Sequence, residues 1–89
     1  MSDLESQFDS AAEAVKELKK QPSNDDLLQL YALFKQGRHG DVSGSRPGFT
    51  NPVGRAKYDA WAKLKGVGRD DAMQRYVDVV AKLRAAQGL

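Results

Sequence analysis

Apolar residues recur along this chain at spacings of three and four, in four blocks separated by glycine, proline and polar breaks, and each block reads as one amphipathic helix. In the first, Leu4, Phe8, Ala11, Val15 and Leu18 form the stripe, while Asp9, Glu13, Lys16, Glu17 and Lys20 fall largely off it. Ser2 to Glu5 spells S-x-x-E, the capping box in which the hydroxyl and the carboxylate satisfy orphan amides at a helix start. Ala11 and Ala12 narrow the buried side, which suits either a close helix approach or room for a ligand. Gln21-Pro22 ends the helix, because proline lacks the amide donor and its ring clashes with the preceding turn.

Ser23 to Asp26 repeats a cap pattern, with Asp25 and Asp26 where the positive end of the helix dipole favours carboxylates. The second helix follows, to about Gly37. Within it Leu27, Leu30, Tyr31 and Phe34 share an arc of about 100°, with Lys35 at its edge. That face is apolar and ends in a phenol and an ammonium. It fits a core-facing helix whose lysine snorkels to water, or a ligand with an apolar part and an anionic part.

From Gly37 to Asn51 the periodicity stops, and four glycines and a proline mark a long loop. Its length permits the flanking helices to run parallel, where a short turn would force them antiparallel. Asn51-Pro52 then reads as a cap followed by proline at the first helical position. In this third helix Ala56, Ala60 and Leu64 lie on one line, Lys57, Trp61 and Leu64 on the adjoining one, and Gly66 supplies a left-handed C-cap. Trp61 reads as a core residue. The fourth helix opens on Asp70 and Asp71, carries Met73, Tyr76, Val77, Val80 and Leu83 as its stripe, and fades after Leu83. Four amphipathic helices without a strand pattern or a repeat predict an all-α bundle.

The chain has 89 residues, enough for one domain burying about 60 to 65% of the surface that its unfolded form exposes. With no cysteine there is no disulfide framework, thiolate zinc site or cysteine nucleophile, which suits a cytoplasmic protein. No apolar run approaches the roughly 18 residues of a membrane span, and residues 1–20 lack a signal-peptide core, so neither stable membrane insertion nor secretion is expected. The net charge of +2 conceals an asymmetry: residues 1–26 carry 3 basic and 7 acidic side chains, residues 27–69 carry 8 and 2, and residues 70–89 carry 3 and 3. A middle segment at +6 beside an acidic one favours a compact anion over a long polyanion, which would have to cross the negative part too.

Catalysis finds little support. His39 is the only histidine and sits in the glycine-rich loop with Asp41 as the one nearby carboxylate, so no catalytic or metal-binding role is expected. Neither a G-x-x-x-x-G-K-[ST] loop nor a strand-linked G-x-G-x-x-G occurs, so phosphate would have to be held by side chains. The residues by themselves leave three readings open: a cleft for a small amphipathic anion, a basic helical module for nucleic acid, and a bundle that grips a partner protein.

YALFKQGRHGDVSGSRPGF from Tyr31, followed by GRAKYDAWAKLKG from Gly54, resembles the acyl-CoA-binding protein family, with its Y-x-x-[FY]-K-Q, G-D, R-P-G and G-[KR]-A-K-[WY]-D-A-W-x-x-L-K-G pattern. The resemblance spans essentially the whole chain, from the Phe8, Ala11 and Ala12 face to D-A-M-x-x-Y. It implies a single acyl-CoA-binding domain over residues 1–89, a four-helix bundle of up-down-down-up topology with a long overhand loop between helices 2 and 3. It also implies reversible, non-catalytic binding of medium- and long-chain fatty acyl-CoA esters by a cytoplasmic, monomeric carrier. No cofactor or metal, and no nucleic-acid partner, is expected. The alternative is a small basic helical nucleic-acid- or protein-binding module.

The same resemblance gives the site. Tyr31, Lys35 and Lys57 match contacts to the ribose 3′-phosphate, Phe34 and Tyr76 match aromatic contacts around the adenine, and Lys16 matches a basic contact to the nucleotide part. Phe34 departs from the tyrosine of many members, which removes a hydroxyl hydrogen bond worth about 1 kcal/mol. Tyr58 stands where tryptophan is common and Val53 where a basic residue is frequent. Gly37-Arg38-His39 replaces a commoner A-T-x, with a looser end of helix 2 as the expectation.

Overall fold

The computed structural model describes residues 3–89, so the Ser2 half of the expected capping box lies outside the described residues. Helix α1 runs Asp3–Ala14 and passes into a single 3-10 turn at Val15–Glu17; α2 is Asn24–His39, α3 Pro52–Ala62 and α4 Arg69–Ala86. There is no strand among the described residues.

Side-chain contacts give each helix its direction. The N-terminal ends of α2 and α3 share a cleft lined by Asn24, Leu27, Pro52 and Val53, and their C-terminal ends are joined by Gln36 and Trp61, so these two are parallel. Gly37, late in α2, lies against Met73, early in α4, so α2 runs against α4. The end of α4 meets the end of the first segment, where Gln87 bonds Lys19 and Lys20. The order is up-down-down-up.

The core lies between α1, α2 and α4: Phe8, Ala11, Leu30, Leu33, Ala72, Met73, Tyr76 and Val80 form one buried cluster. Phe8 is its centre, stacked on Phe34 at 5.3 Å and edge-on to Tyr76 at 5.2 Å. Ala11 is buried in this cluster and also lines a cavity of about 450 Å³ between α1 and α4, so its small side chain both packs and leaves room beside it.

The caps of α2 and α3 form as the sequence predicts. Ser23 Oγ accepts from the Asp26 amide at 3.1 Å, and Asn51 Oδ1 from the Gly54 amide at 3.0 Å. Several boundaries differ. The first helix stops at Ala14 rather than near Pro22, because the backbone after the 3-10 turn is captured elsewhere: Gln87 Oε1 accepts from the Lys19 and Lys20 amides at 2.7 and 3.2 Å, and its Nε2 donates to the Lys20 carbonyl at 2.9 Å. Helix α2 continues to His39, and Gly40, at φ 84°, ends it in the left-handed region. Helix α3 ends at Ala62, and the chain reaches Gly66, at φ 91°, through tight turns. Helix α4 extends past Leu83 to Ala86.

Gly37 is therefore a helix residue and not the start of the loop. A Cβ there would stand 3.0 Å from Met73 Cγ and 3.2 Å from Phe8 Cζ, so its absence is what lets α1 and α4 close on α2. The helix end is also not loosened by the residues around it. Arg69 Nε and Nη2 donate to the Gly37 and Arg38 carbonyls at 3.1 Å each, and Arg38 pairs with Asp9 at 2.7 Å.

Gln36, the next residue back along α2, is completely buried. Its Nε2 donates to Asp41 Oδ1 at 2.9 Å and to the Val67 carbonyl at 2.8 Å, and its Oε1 accepts from Trp61 Nε1 at 3.1 Å. Trp61 Nε1 also donates to the Gly40 carbonyl at 2.9 Å. The rest of the loop is tied to α3: Arg46 makes two 2.8 Å bonds to the Asp59 carboxylate, and the Tyr58 hydroxyl donates to the Gly44 carbonyl at 3.2 Å.

Two outcomes are expected from this network. Gln36→Leu keeps the bulk but leaves a buried carbonyl and part of the Asp41 and Trp61 bonding unmatched, so urea unfolding should show a loss of about 2 to 4 kcal/mol. A loss below the usual surface range would mean that the network is dispensable. Asp41 adds a pH signature, since the Gly66 amide, then the Gln36 amide, holds its carboxyl below the usual carboxylate range. A depressed folded-state pKa contributes stability above the ordinary aspartate pKa and loses it as pH falls through the lower folded value. The stability gap between wild type and Asp41→Asn should therefore be full at neutral pH and close in that acidic window. Urea midpoints measured against pH check this.

Candidate functional site

Tyr31 follows from the spacing of α2: it shares a face with Phe34, Lys35 and Arg38, at offsets of three, four and seven residues. Because α3 lies parallel to α2, Lys57 comes to the same place from the other side. The Lys57 ammonium stands 5.3 Å from the Tyr31 ring centroid, and the Lys35 ammonium 5.9 Å from it and 5.1 Å from that of Trp61. Two positive charges thus flank one half-buried phenol ring. Neither lysine is in an ion pair with a carboxylate among the described residues.

Beside this group lies an apolar cleft of about 400 Å³ between the starts of α2 and α3, lined by Asn24, Leu27, Leu28, Pro52, Val53, Ala56 and Lys57. Lys57 belongs to both features. It lines the cleft, and its ammonium stands over the Tyr31 ring. The cleft is built by α2 and α3 alone, so Ala11 and Ala12 of α1 do not line it.

On the other side of the α2 face, Phe34 forms a triad with Phe8 and Tyr76, its ring 5.8 Å from that of Tyr76. Phe34 is half-buried, whereas Tyr76 is 4% exposed and burial pushes its phenol up from the ordinary tyrosine value. Phe34 is therefore the member of the pair that presents a ring at the surface. Lys16 lies on the 3-10 turn after α1, exposed and 3.4 Å from Glu13, and is not among the side chains gathered around Tyr31.

Three contributors escaped the sequence reading. Arg38 places its guanidinium 5.1 Å from the Phe8 centroid and 5.3 Å from that of Phe34, roofing the aromatic group, and its offset from Phe34 was the available signal. Trp61 is buried as predicted, yet it also carries the Lys35 charge on its ring and bonds Gln36. Gln36 itself gave no signal beyond its place in the K-Q pair. His39 is exposed at the end of α2, its ring 6.3 Å from that of Trp61. Among the described residues no three His, Cys, Asp or Glu side chains are grouped to hold a metal ion.

The arrangement can bind an anion with an apolar extension, and the chain is similar to known proteins. A family model described as Acyl CoA binding protein matches residues 5–80. Acyl-CoA-binding protein homolog 1 of Caenorhabditis elegans is 52% identical over 81 residues, which cover 91% of this chain and 94% of that protein. An acyl-CoA-binding protein homolog of Manduca sexta is 48% identical over 87 residues, 97% of each chain. The crystal structure of Oryza sativa acyl-CoA-binding protein 2 matches with a TM-score of 0.93 at 37% identity, over 98% of this chain and 95% of that one.

Proposed function

The chain belongs to the acyl-CoA-binding protein family, and from that premise we propose that it binds medium- and long-chain fatty acyl-CoA esters reversibly, as a carrier and reservoir that does no chemistry on them. In this reading residues 1–89 are a single acyl-CoA-binding domain working as a monomer in the cytoplasm. The observation that carries it is Lys57, which lines the apolar cleft and whose ammonium stands over the Tyr31 ring. A ligand held at both places must be apolar at one end and anionic at the other.

Tyr31, Lys35 and Lys57 would hold the ribose 3′-phosphate, two ammoniums and a hydroxyl supplying charge-assisted hydrogen bonds. Phe34 would offer its ring to the adenine, with Tyr76 behind it fixing the angle of that ring. Lys16 stands apart from this group and would meet the nucleotide from the α1 side. The acyl tail would enter the cleft of Leu27, Leu28, Pro52 and Ala56. A nucleic-acid- or protein-binding module has no support in the comparisons.

Hydrogen bonds to charged groups contribute about 1.5 to 3 kcal/mol, against about 0 to 1 for an exposed lysine pair. Calorimetry should therefore find that Lys35→Ala or Lys57→Ala weakens hexadecanoyl-CoA binding by about tenfold or more, while Lys63→Ala changes little. With a ligand lacking only the 3′-phosphate, the Lys35 and Lys57 substitutions should become nearly silent, since their partner is gone. Equal losses with and without that phosphate would remove both lysines, and Tyr31, from the phosphate site. A second series varies the tail. Each methylene taken from water contributes up to about 0.8 kcal/mol, so affinity should climb from butanoyl- to hexadecanoyl-CoA. A flat series would mean that the cleft is not the tail's site.

A further inference from the structure

The cavity of about 450 Å³ between α1 and α4 shares no lining residue with the cleft of α2 and α3. Small side chains leave the space. Ser6, Ser10 and Ala14 recur at every fourth position of α1, and Ala81 adds a further small residue from α4. Val77 and Val80 supply apolar wall, and Ser6, Ser10 and Ala81 are exposed, so the cavity is a groove open to water along one side. Its length follows from the helix: the offset of eight residues from Ser6 to Ala14 spans about 12 Å at about 1.5 Å per residue.

The two ends of the groove differ. Helices α1 and α4 run in the same direction, which puts Ser6 and Gln7 at one end and Ala14, the last residue of α1, with Arg84, near the end of α4, at the other. Arg84 is the only charged residue of the lining. Its Nε is buried, and among the described residues it has neither a hydrogen-bond acceptor nor a carboxylate partner. A buried donor on a cation is costly without an acceptor, and the alanine and valine side chains of the groove supply none. No other buried side-chain nitrogen or oxygen among the described residues is left in that condition.

We propose that the α1–α4 groove is a second ligand site, for a medium-chain fatty acid whose carboxylate meets Arg84 and whose chain lies over Ala14, Val80 and Val77 toward Ser6. The edge of a guanidinium offers Nε–H and a terminal N–H side by side, the spacing at which a carboxylate accepts both. An extended chain advances about 1.2 Å per bond, so a groove of about 12 Å takes about ten carbons. The surrounding charge restricts the head to a single anion: residues 1–26 carry 3 basic and 7 acidic side chains, which repel a nucleotide or a coenzyme diphosphate. A neutral alcohol would leave the cation unmatched, and an inorganic anion would leave the apolar wall wet. The groove contains none of Tyr31, Lys35 and Lys57, so the site is independent of the acyl-CoA reading.

The test titrates the full chain with decanoate, kept below its micelle concentration, while backbone amide signals are followed by nuclear magnetic resonance. Signals of Ala14, Val77 and Ala81 should shift saturably, with hexadecanoyl-CoA present as without it. Arg84→Gln should weaken decanoate by about tenfold or more, and decanol should bind wild type no better than decanoate binds that variant. Ala81→Leu, at an exposed helix position, fills the groove and should abolish the shifts. Melting temperatures and hexadecanoyl-CoA affinities of both variants should stay close to wild type. Decanoate that shifts Leu27 and Ala56 instead, or that hexadecanoyl-CoA displaces, occupies the α2–α3 cleft and overturns the proposal. Equal decanoate affinity in wild type and Arg84→Gln overturns it too, as does self-association, or capture of a protein, that Ala81→Leu abolishes while decanoate shifts nothing. Decanoate binding in this groove without hexadecanoyl-CoA affinity would remove the carrier function and leave the second site standing.

Discussion

The hydrogen bonding of one buried amide decides where everything else in this molecule stands. Gln36 satisfies three of its four hydrogen-bonding positions, and its partners are Trp61 of α3, Asp41 of the long loop and the Val67 carbonyl ahead of α4. A buried amide that lost those partners would incur the uncompensated desolvation penalty of each group, about 1 to 3 kcal/mol apiece. That penalty selects one placement of α3 beside α2 from the many that a twelve-residue loop, 40–51, would tolerate. The loop contributes almost nothing to the buried cluster, so polar ties replace apolar contacts along it: Asp41 to the Gly66 amide, Tyr58 to Gly44, Arg46 to Asp59. Parallel α2 and α3 are what bring Lys57 to the face that carries Tyr31 and Lys35.

How much of this was legible in the sequence depends on whether the cause was local. Stripes and caps depend on residues within a turn of each other, and Ser23, Asn51 and the four apolar blocks gave the helices correctly. The parallel pairing was suggested by loop length, and the grouping of Tyr31, Lys35 and Lys57, which we propose for the phosphate, by the resemblance. The errors share another cause. The end of α1 is set by Gln87, more than sixty residues away, and periodicity cannot register a side chain that captures a distant backbone. Gly37 looked like loop because glycine weakens a helix, yet the space it leaves is filled by Phe8 and Met73 from two other helices. Ala11 and Ala12 were equally ambiguous until α4 was seen to cover Ala11. Arg38 read as a departure from a family pattern, and only the structure shows the guanidinium bonded to Asp9 and lying over two rings.

The cations divide by what they face. Arg38, Arg46 and Arg75 each have a carboxylate, at 2.7, 2.8 and 3.1 Å, and Arg69 has two carbonyls. These four are arginines, whose planar fork suits fixed, directional partners, although Lys16 also pairs with Glu13 at 3.4 Å and Arg55 lies over the Phe49 ring without an acid. Lys35 and Lys57 have aromatic faces instead, and no acid among the described residues. A ring face attracts an ammonium by about 0.5 to 1 kcal/mol at an exposed site, enough to bias its position and too little to compete with a phosphate. A carboxylate in that place would have to be displaced by any anionic ligand. The rings thus bias where the lysines stand without an acid that an anion would have to displace.

Two ammoniums aimed at one ring also repel each other, and the fold tolerates this because the group is only half-buried. In water a pair of charges 4 Å apart interacts by about 1 kcal/mol, a value that rises several-fold as solvent is excluded. With water around it, the pair stays on the mild side of that range. An occupant changes it. An apolar tail filling the cleft would dehydrate the stem of Lys57, and an anionic head would cover its ammonium just where attraction then grows. Head and tail are therefore not independent contributions added together, because they act on one side chain. Lys57 lies at the junction because Gln36 fixed α3 parallel to α2, so the bond that stabilises the fold would also couple the two halves of the proposed site.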